Sequence, residues 1–126
     1  MIRDARGGAA FNPAQLAEIS GGDSDYEREI TAEYLEQARD LFAVIGRALA
    51  GGEAAVIGRS AHTLRGSSST IGAEAVAGIC AELEHIAASG NLAPAAGLLE
   101  SATLALAETR VRLAEHFGGR GDGSPG

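Results

Sequence analysis

The chain has 126 residues, enough for one domain with an ordinary core. It carries 10 Lys and Arg against 17 Asp and Glu, a formal net charge of −7, with no basic cluster, so nucleic-acid binding is disfavoured. The single cysteine, Cys80, excludes an internal disulfide, and no run approaches the ~20 apolar residues of a membrane span.

Alanine, leucine and glutamate are common while β-branched and aromatic residues are sparse, which favours helix over strand. Residues 1–10 are expected to form a flexible arm. They contain no apolar run fit for a signal peptide, and a cytoplasmic location is expected. Asn12-Pro13 reads as N-cap and first helical position of a short helix that ends near Ser20, before Gly21-Gly22. Asp23 or Ser24 caps a long second helix to about Ala50, with Ile30, Tyr34, Ala38, Leu41, Ile45 and Leu49 along one side. After Gly51-Gly52 a third helix runs from about Glu53 to Ser69. Gly72 marks a tight corner. The fourth helix, about Ala73 to Ser89, carries Val76, Ile79, Cys80, Leu83 and Ile86, and Cys80 reads as a small buried hydrophobe. Gly90-Asn91 closes it. The last helix, about Leu92 to Phe117, carries Leu99, Ala102, Leu106, Leu113 and Phe117, with His116 as a favourable charge near its C-terminus. Residues 118–126 are expected to be a disordered Gly-rich tail, in which Arg120-Gly121-Asp122 reads as coincidence. Residues 11–117 thus predict an all-α domain: an antiparallel up-down four-helix bundle with an additional short N-terminal helix.

The third helix is the informative one. Ile57, Ala61, Leu64, Ser68 and Ile71 form its narrow inward stripe, and His62 lies just beside it. One turn away from His62 are Gly58, Arg65, Gly66 and Ser69. A glycine inside a helix costs roughly 0.5–1 kcal/mol relative to alanine. Two glycines on the face of one histidine suggest that something large must approach it. Ser67 and Ser68 can bond back to the carbonyl a turn earlier and tune packing rather than react.

The run Ala61-His62-Thr63-Leu64-Arg65-Gly66-Ser67-Ser68, followed by Gly72-Ala73, Val76, Cys80 and Leu83-Glu84, resembles the histidine-containing phosphotransfer (HPt) domain of two-component relays. The family pattern is approximately A-H-x-L-K-G-S-S-x-x-x-G-A followed by an apolar position, a small or Cys residue and L-E. Arg65 stands where the family usually has Lys; the charge is kept, on a planar fork rather than a point. The resemblance implies a phosphoryl carrier in which His62 is phosphorylated at Nε2. It implies that Glu84 orients the ring through Nδ1–H, that Arg65 offsets phosphoryl charge, and that Gly66 leaves room for docking. Gly58 and Ser69, which the motif does not cover, are expected on the same docking face from their helical spacing to His62 alone. It implies response-regulator receiver domains and a hybrid sensor histidine kinase as partners, and a monomer with no cofactor of its own. Mg²⁺ is expected in the partner receiver, which also supplies the aspartate. The chain has no glycine-rich nucleotide loop and no obvious magnesium-binding acid cluster, so it is not expected to take phosphate from ATP unaided. Two other readings stand beside this one. One is a purely structural adaptor bundle. The other is a metal-binding bundle, for which Glu82-x-x-His85 has suitable spacing but no second copy.

Overall fold

The computed structural model describes residues 9–119, and these are helical with no strand. Five helices follow in order: α1 (Pro13–Ser20), α2 (Ser24–Ala50), α3 (Ala54–Ile71), α4 (Glu74–Ser89) and α5 (Ala95–Gly119). Their ends follow local capping chemistry. The Asn12 side chain accepts from Ala14 N, and Asp23 accepts from Tyr26 N, each satisfying a backbone donor left free in a first turn.

α2 packs on α3 and α5, α3 on α4, and α4 on α5, while α1 lies against α2 and α3. The shared core includes Leu16, Ile45, Ile57, Leu64, Ile79 and Leu83, all fully buried. Burial of one such side chain contributes roughly 1.5–3 kcal/mol. α3 therefore has one wall against α2, one against α4, and an outer face left to solvent.

The corner between α3 and α4 is locked from outside. Gly72 caps α3 with φ of 95°, a left-handed conformation that glycine adopts without strain. Asn12 N donates to Gly72 O at 2.8 Å, and Asn12 Nδ2 donates to Glu74 Oε2 at 2.8 Å. A Cβ at Gly72 would lie 2.5 Å from Asn12 O.

Several expectations are corrected. Ala9 and Ala10, expected within the arm, are tied to the bundle: Ala9 O accepts from Ala75 N at 3.0 Å, and Ala10 O from Thr109 Oγ1 at 3.1 Å. α5 starts at Ala95 rather than Leu92, because Asn91 turns back to accept from Ala93 N and Pro94 stands ahead of the first helical residue. It continues through Gly119, beyond the expected end at Phe117. The rest of the expected arm and tail, Arg120-Gly121-Asp122 included, lies outside the described residues. The inward face of α2 is Glu27, Thr31, Tyr34, Ala38, Phe42, Ile45 and Ala48, with Ile30, Leu41 and Leu49 half-buried at its sides. Small residues such as Thr31 and Ala48 sit on the seam because α2 is wedged between α3 and α5. On α5 likewise, Leu98 and Thr109 are buried while Leu99 and Phe117 are only half-buried. Ser68 does not bond back along its helix as expected. It is buried and shares a 2.7 Å hydrogen bond with Tyr34 OH, while Ser67 does reach the Thr63 and Leu64 carbonyls.

Candidate functional site

His62 stands on the outer face of α3, its side chain 65% exposed. Ile57, Ala61 and Leu64 are driven inward, so the helical period turns residue 62 outward. Glu84 reaches across from α4, placed there by buried Cys80 and Leu83 in the preceding turn. Its Oε2 lies 2.7 Å from His62 Nδ1. Its Oε1 accepts from Arg65 Nε at 2.7 Å, and Arg65 Nη2 lies 3.2 Å from His62 Nδ1.

These contacts select a tautomer. Arg65 first and His62 second hold the Glu84 carboxyl below the usual carboxylate range, so it is ionised and can only accept. The proton of a neutral ring therefore belongs on Nδ1, and the lone pair on Nε2. A proton there also means that Arg65 Nη2 cannot donate to Nδ1; that pair is a contact, and the guanidinium's bond is to Glu84. Nε2 makes no hydrogen bond to any described residue. Arg65 sits at the Nδ1 edge of the ring, bracing Glu84, rather than beside Nε2.

The flanking small residues differ from one another. A Cβ on Gly66 would meet nothing within 4 Å, so internal packing does not require glycine there. A Cβ on Gly58 would sit 3.4 Å from Ala87 Cβ, so this glycine serves the close approach of α3 to α4 and floors a shallow groove beside His62. Ser69 is exposed on the His62 face. Under that face, burial raises the Tyr34 hydroxyl above its ordinary value and pushes the Cys80 thiol up to about 12, so neither is poised to react. His85 is exposed on α4, and among the described residues no three His, Cys, Asp or Glu side chains converge as metal ligands. No described helix is long and apolar enough to cross a membrane.

A second polar cluster escaped the sequence reading. Glu27, 1% exposed, accepts from Ser20 Oγ at 2.7 Å, and its Oε1 lies 3.2 Å from His116 Nε2. His116 packs edge-on to Phe11 and Phe117, so it is more than a helix-end charge. The signal was present: Glu27 continues the inward spacing of Thr31, Tyr34 and Ala38.

An exposed imidazole with one nitrogen held and the other free is what a phosphoryl carrier needs. A model of the Hpt domain family matches residues 29–115, and the chain belongs to that family. Its function is histidine phosphotransfer in a two-component phosphorelay, as a phosphocarrier rather than a kinase. Among solved structures, the chain is similar to histidine-containing phosphotransfer protein B (HptB) from Pseudomonas aeruginosa PAO1, with a TM-score of 0.80 and 26% identity over 85% of this chain and 93% of that one. No curated protein matches the chain. The matched family segment starts after α1, so the Asn12–Gly72 lock lies partly beyond it.

Proposed function

We propose that His62 is the residue that carries the phosphoryl group, through Nε2, and that it exchanges it with the aspartate of response-regulator receiver domains. The observation that carries this reading is the Glu84–Nδ1 contact at 2.7 Å, which leaves Nε2 as the free nucleophile on an exposed ring. In the forward step the Nε2 lone pair attacks phosphorus, the N–P bond forms, and the aspartyl O–P bond breaks to release a carboxylate. The Nδ1 proton stays in place. The phosphorylated ring is then formally cationic, and the ionised Glu84 beside Nδ1–H offsets that charge. Arg65, at the Nδ1 edge of the ring, holds Glu84 in orientation, so its role is to brace the carboxylate rather than to touch the phosphoryl group at Nε2. Gly66 and exposed Ser69 leave room for the receiver on the same face, with Gly58 flooring the groove beside it.

The receiver brings Mg²⁺ and its own charge stabilisation, and this chain binds no cofactor. Upstream, a hybrid sensor histidine kinase fills the receiver. The chain works as a cytoplasmic monomer, on an antiparallel up-down four-helix bundle supported by the pairing of α2 with α3, α3 with α4, α4 with α5, and α5 with α2.

The test is phosphotransfer from receivers charged with acetyl phosphate, followed by mapping of the acid-labile label. His62→Gln should keep the fold and lose the label. A label that persists in this variant, or that maps to His85 or His116, overturns the assignment.

A further inference from the structure

The outer face of α3 does not end at His62. Past Gly66 it continues into a groove between α1, α2 and α3, lined by Ile19, Tyr26, Ile30, Gln37, Ser67 and Thr70. Ile19 and Tyr26 are each 43% exposed, among the largest apolar side chains that the described surface shows. Leaving such side chains in water is unfavourable, and a patch of this kind rimmed by polar residues marks an interaction surface.

The rim is mainly acidic, with exposed Arg39, three residues after Glu36, as the cation set among its carboxylates on α2. Asp25, Glu29, Glu33, Glu36 and Asp40 are all exposed and recur every three or four residues of α2, so they form one stripe. Glu33 lines the groove, and Glu33, Glu36 and Asp40 border Thr63, the residue after His62. None of the five is ion-paired with a described residue. Each neighbouring pair along the stripe, Asp25 with Glu29 and so on to Asp40, repels at helical contact spacing and destabilises α2. The nearest cations on the α3 face are Arg59 and Arg65. Arg65 is already engaged by Glu84.

Taking His62 as the carrier residue, we propose that this surface selects among receiver domains. The apolar groove docks an apolar patch of the receiver, and the α2 acidic stripe favours receivers that carry Lys and Arg around that patch. Opposed charge of this kind accelerates encounter and suppresses acidic competitors, and its effect is screened by salt. The proposal assigns partner choice to α2, a helix that contributes no group to the chemistry at His62.

The experiment compares wild type with Glu33→Lys/Glu36→Lys/Asp40→Lys, at positions that are exposed and away from the His62–Glu84–Arg65 cluster. Each is tested with receiver domains of basic and of acidic surface, charged with acetyl phosphate, at several salt concentrations. With basic receivers, wild-type transfer at limiting concentration should be fast at low salt and slow as salt rises. The Lys variant should be about ten-fold slower at low salt and lose or invert the salt dependence, with its saturated rate unchanged. Acidic receivers should move the other way. Circular dichroism should show α2 intact, because Lys forms helix as well as Glu does. Equal rates and equal salt slopes for the two proteins overturn the proposal while leaving phosphotransfer standing. So does a variant that instead loses self-association at unchanged transfer rate, since the stripe would then face a second copy. Wild type that no receiver labels overturns the carrier reading, and this proposal with it.

Discussion

Arg65 Nε donates to Glu84 Oε1 at 2.7 Å, and this bond, more than the one to the histidine, holds the Glu84 carboxyl below its ordinary value. The consequence is a pH dependence with a definite sign. A carboxyl whose folded value is lowered adds stability above its unfolded value, and that contribution is lost as pH falls through the folded value. Relative to Glu84→Gln, wild type should therefore hold its advantage at neutral pH and lose it in the acid range below the ordinary carboxylate value. Arg65→Ala should move the Glu84 titration upward toward that ordinary value, which carboxyl carbon NMR would read directly. An unmoved Glu84 titration in Arg65→Ala would remove Arg65 as its brace.

Glu84 should also govern the rate at His62. Glu84→Ala removes the acceptor that holds Nδ1–H and the charge that offsets the phosphorylated ring. Transfer should slow by about ten-fold, the equivalent of roughly 1.4 kcal/mol in the barrier. It should not vanish, because the receiver brings the metal and most of the electrostatic stabilisation. Glu84→Gln keeps an oxygen acceptor, so ring nitrogen NMR should still report the Nδ1–H tautomer while transfer slows less. A mixed tautomer in Glu84→Gln with full transfer rate would show that ring orientation is irrelevant.

Much of this arrangement was legible in the sequence, for local reasons. Asn12-Pro13, Asp23, Gly72 and Gly90 announce helix ends because capping is settled within a turn of chain. Outward placement of His62 follows from the stripe beside it. Its partner is a different matter. Glu84 lies 22 residues away on another helix, and periodicity cannot say which faces of two helices meet; only the family resemblance brought the two residues together. The Glu27–His116 contact, 89 residues apart, had neither aid. Glu27 keeps the inward spacing of Thr31, Tyr34 and Ala38, yet a glutamate in the first turn of α2 also reads as a favourable end charge, and the packing of α1 and α5 decides between the two. The Asn12–Gly72 lock was half legible: the corner at Gly72 was visible, but not what crowds it.

Two glycines of α3 should behave oppositely. Gly66 has helical backbone and open space around its absent Cβ, so Gly66→Ala should stabilise the fold by roughly 0.5–1 kcal/mol. Gly66→Gln should also fold well, yet transfer should slow because the docking face is filled. Gly72→Ala should destabilise by at least about 2 kcal/mol, since it adds left-handed strain to a clash with Asn12 O. Urea melts together with transfer rates separate the two behaviours. A Gly66→Ala that is less stable than wild type would mean that Gly66 serves folding rather than docking.

The last prediction concerns the far cluster. Glu27 is almost wholly buried, with Ser20 Oγ on one oxygen and His116 Nε2 near the other. Arg28, next in sequence, lies over the Phe117 ring at 4.6 Å, so α1, α2 and the end of α5 meet here. Glu27→Ala leaves a cavity and strips two polar partners of their acceptor. A buried polar group left without its acceptor costs about 1–3 kcal/mol, to which the cavity adds. Glu27→Gln keeps the size and one acceptor and should lose less than Glu27→Ala. Both variants should retain transfer from receivers wherever they remain folded, since neither touches His62, Glu84 or Arg65. Denaturant midpoints measured beside transfer rates check this. Wild-type stability in Glu27→Ala, or a transfer defect in folded Glu27→Gln, would show that the cluster does not act as a structural clamp between α2 and α5.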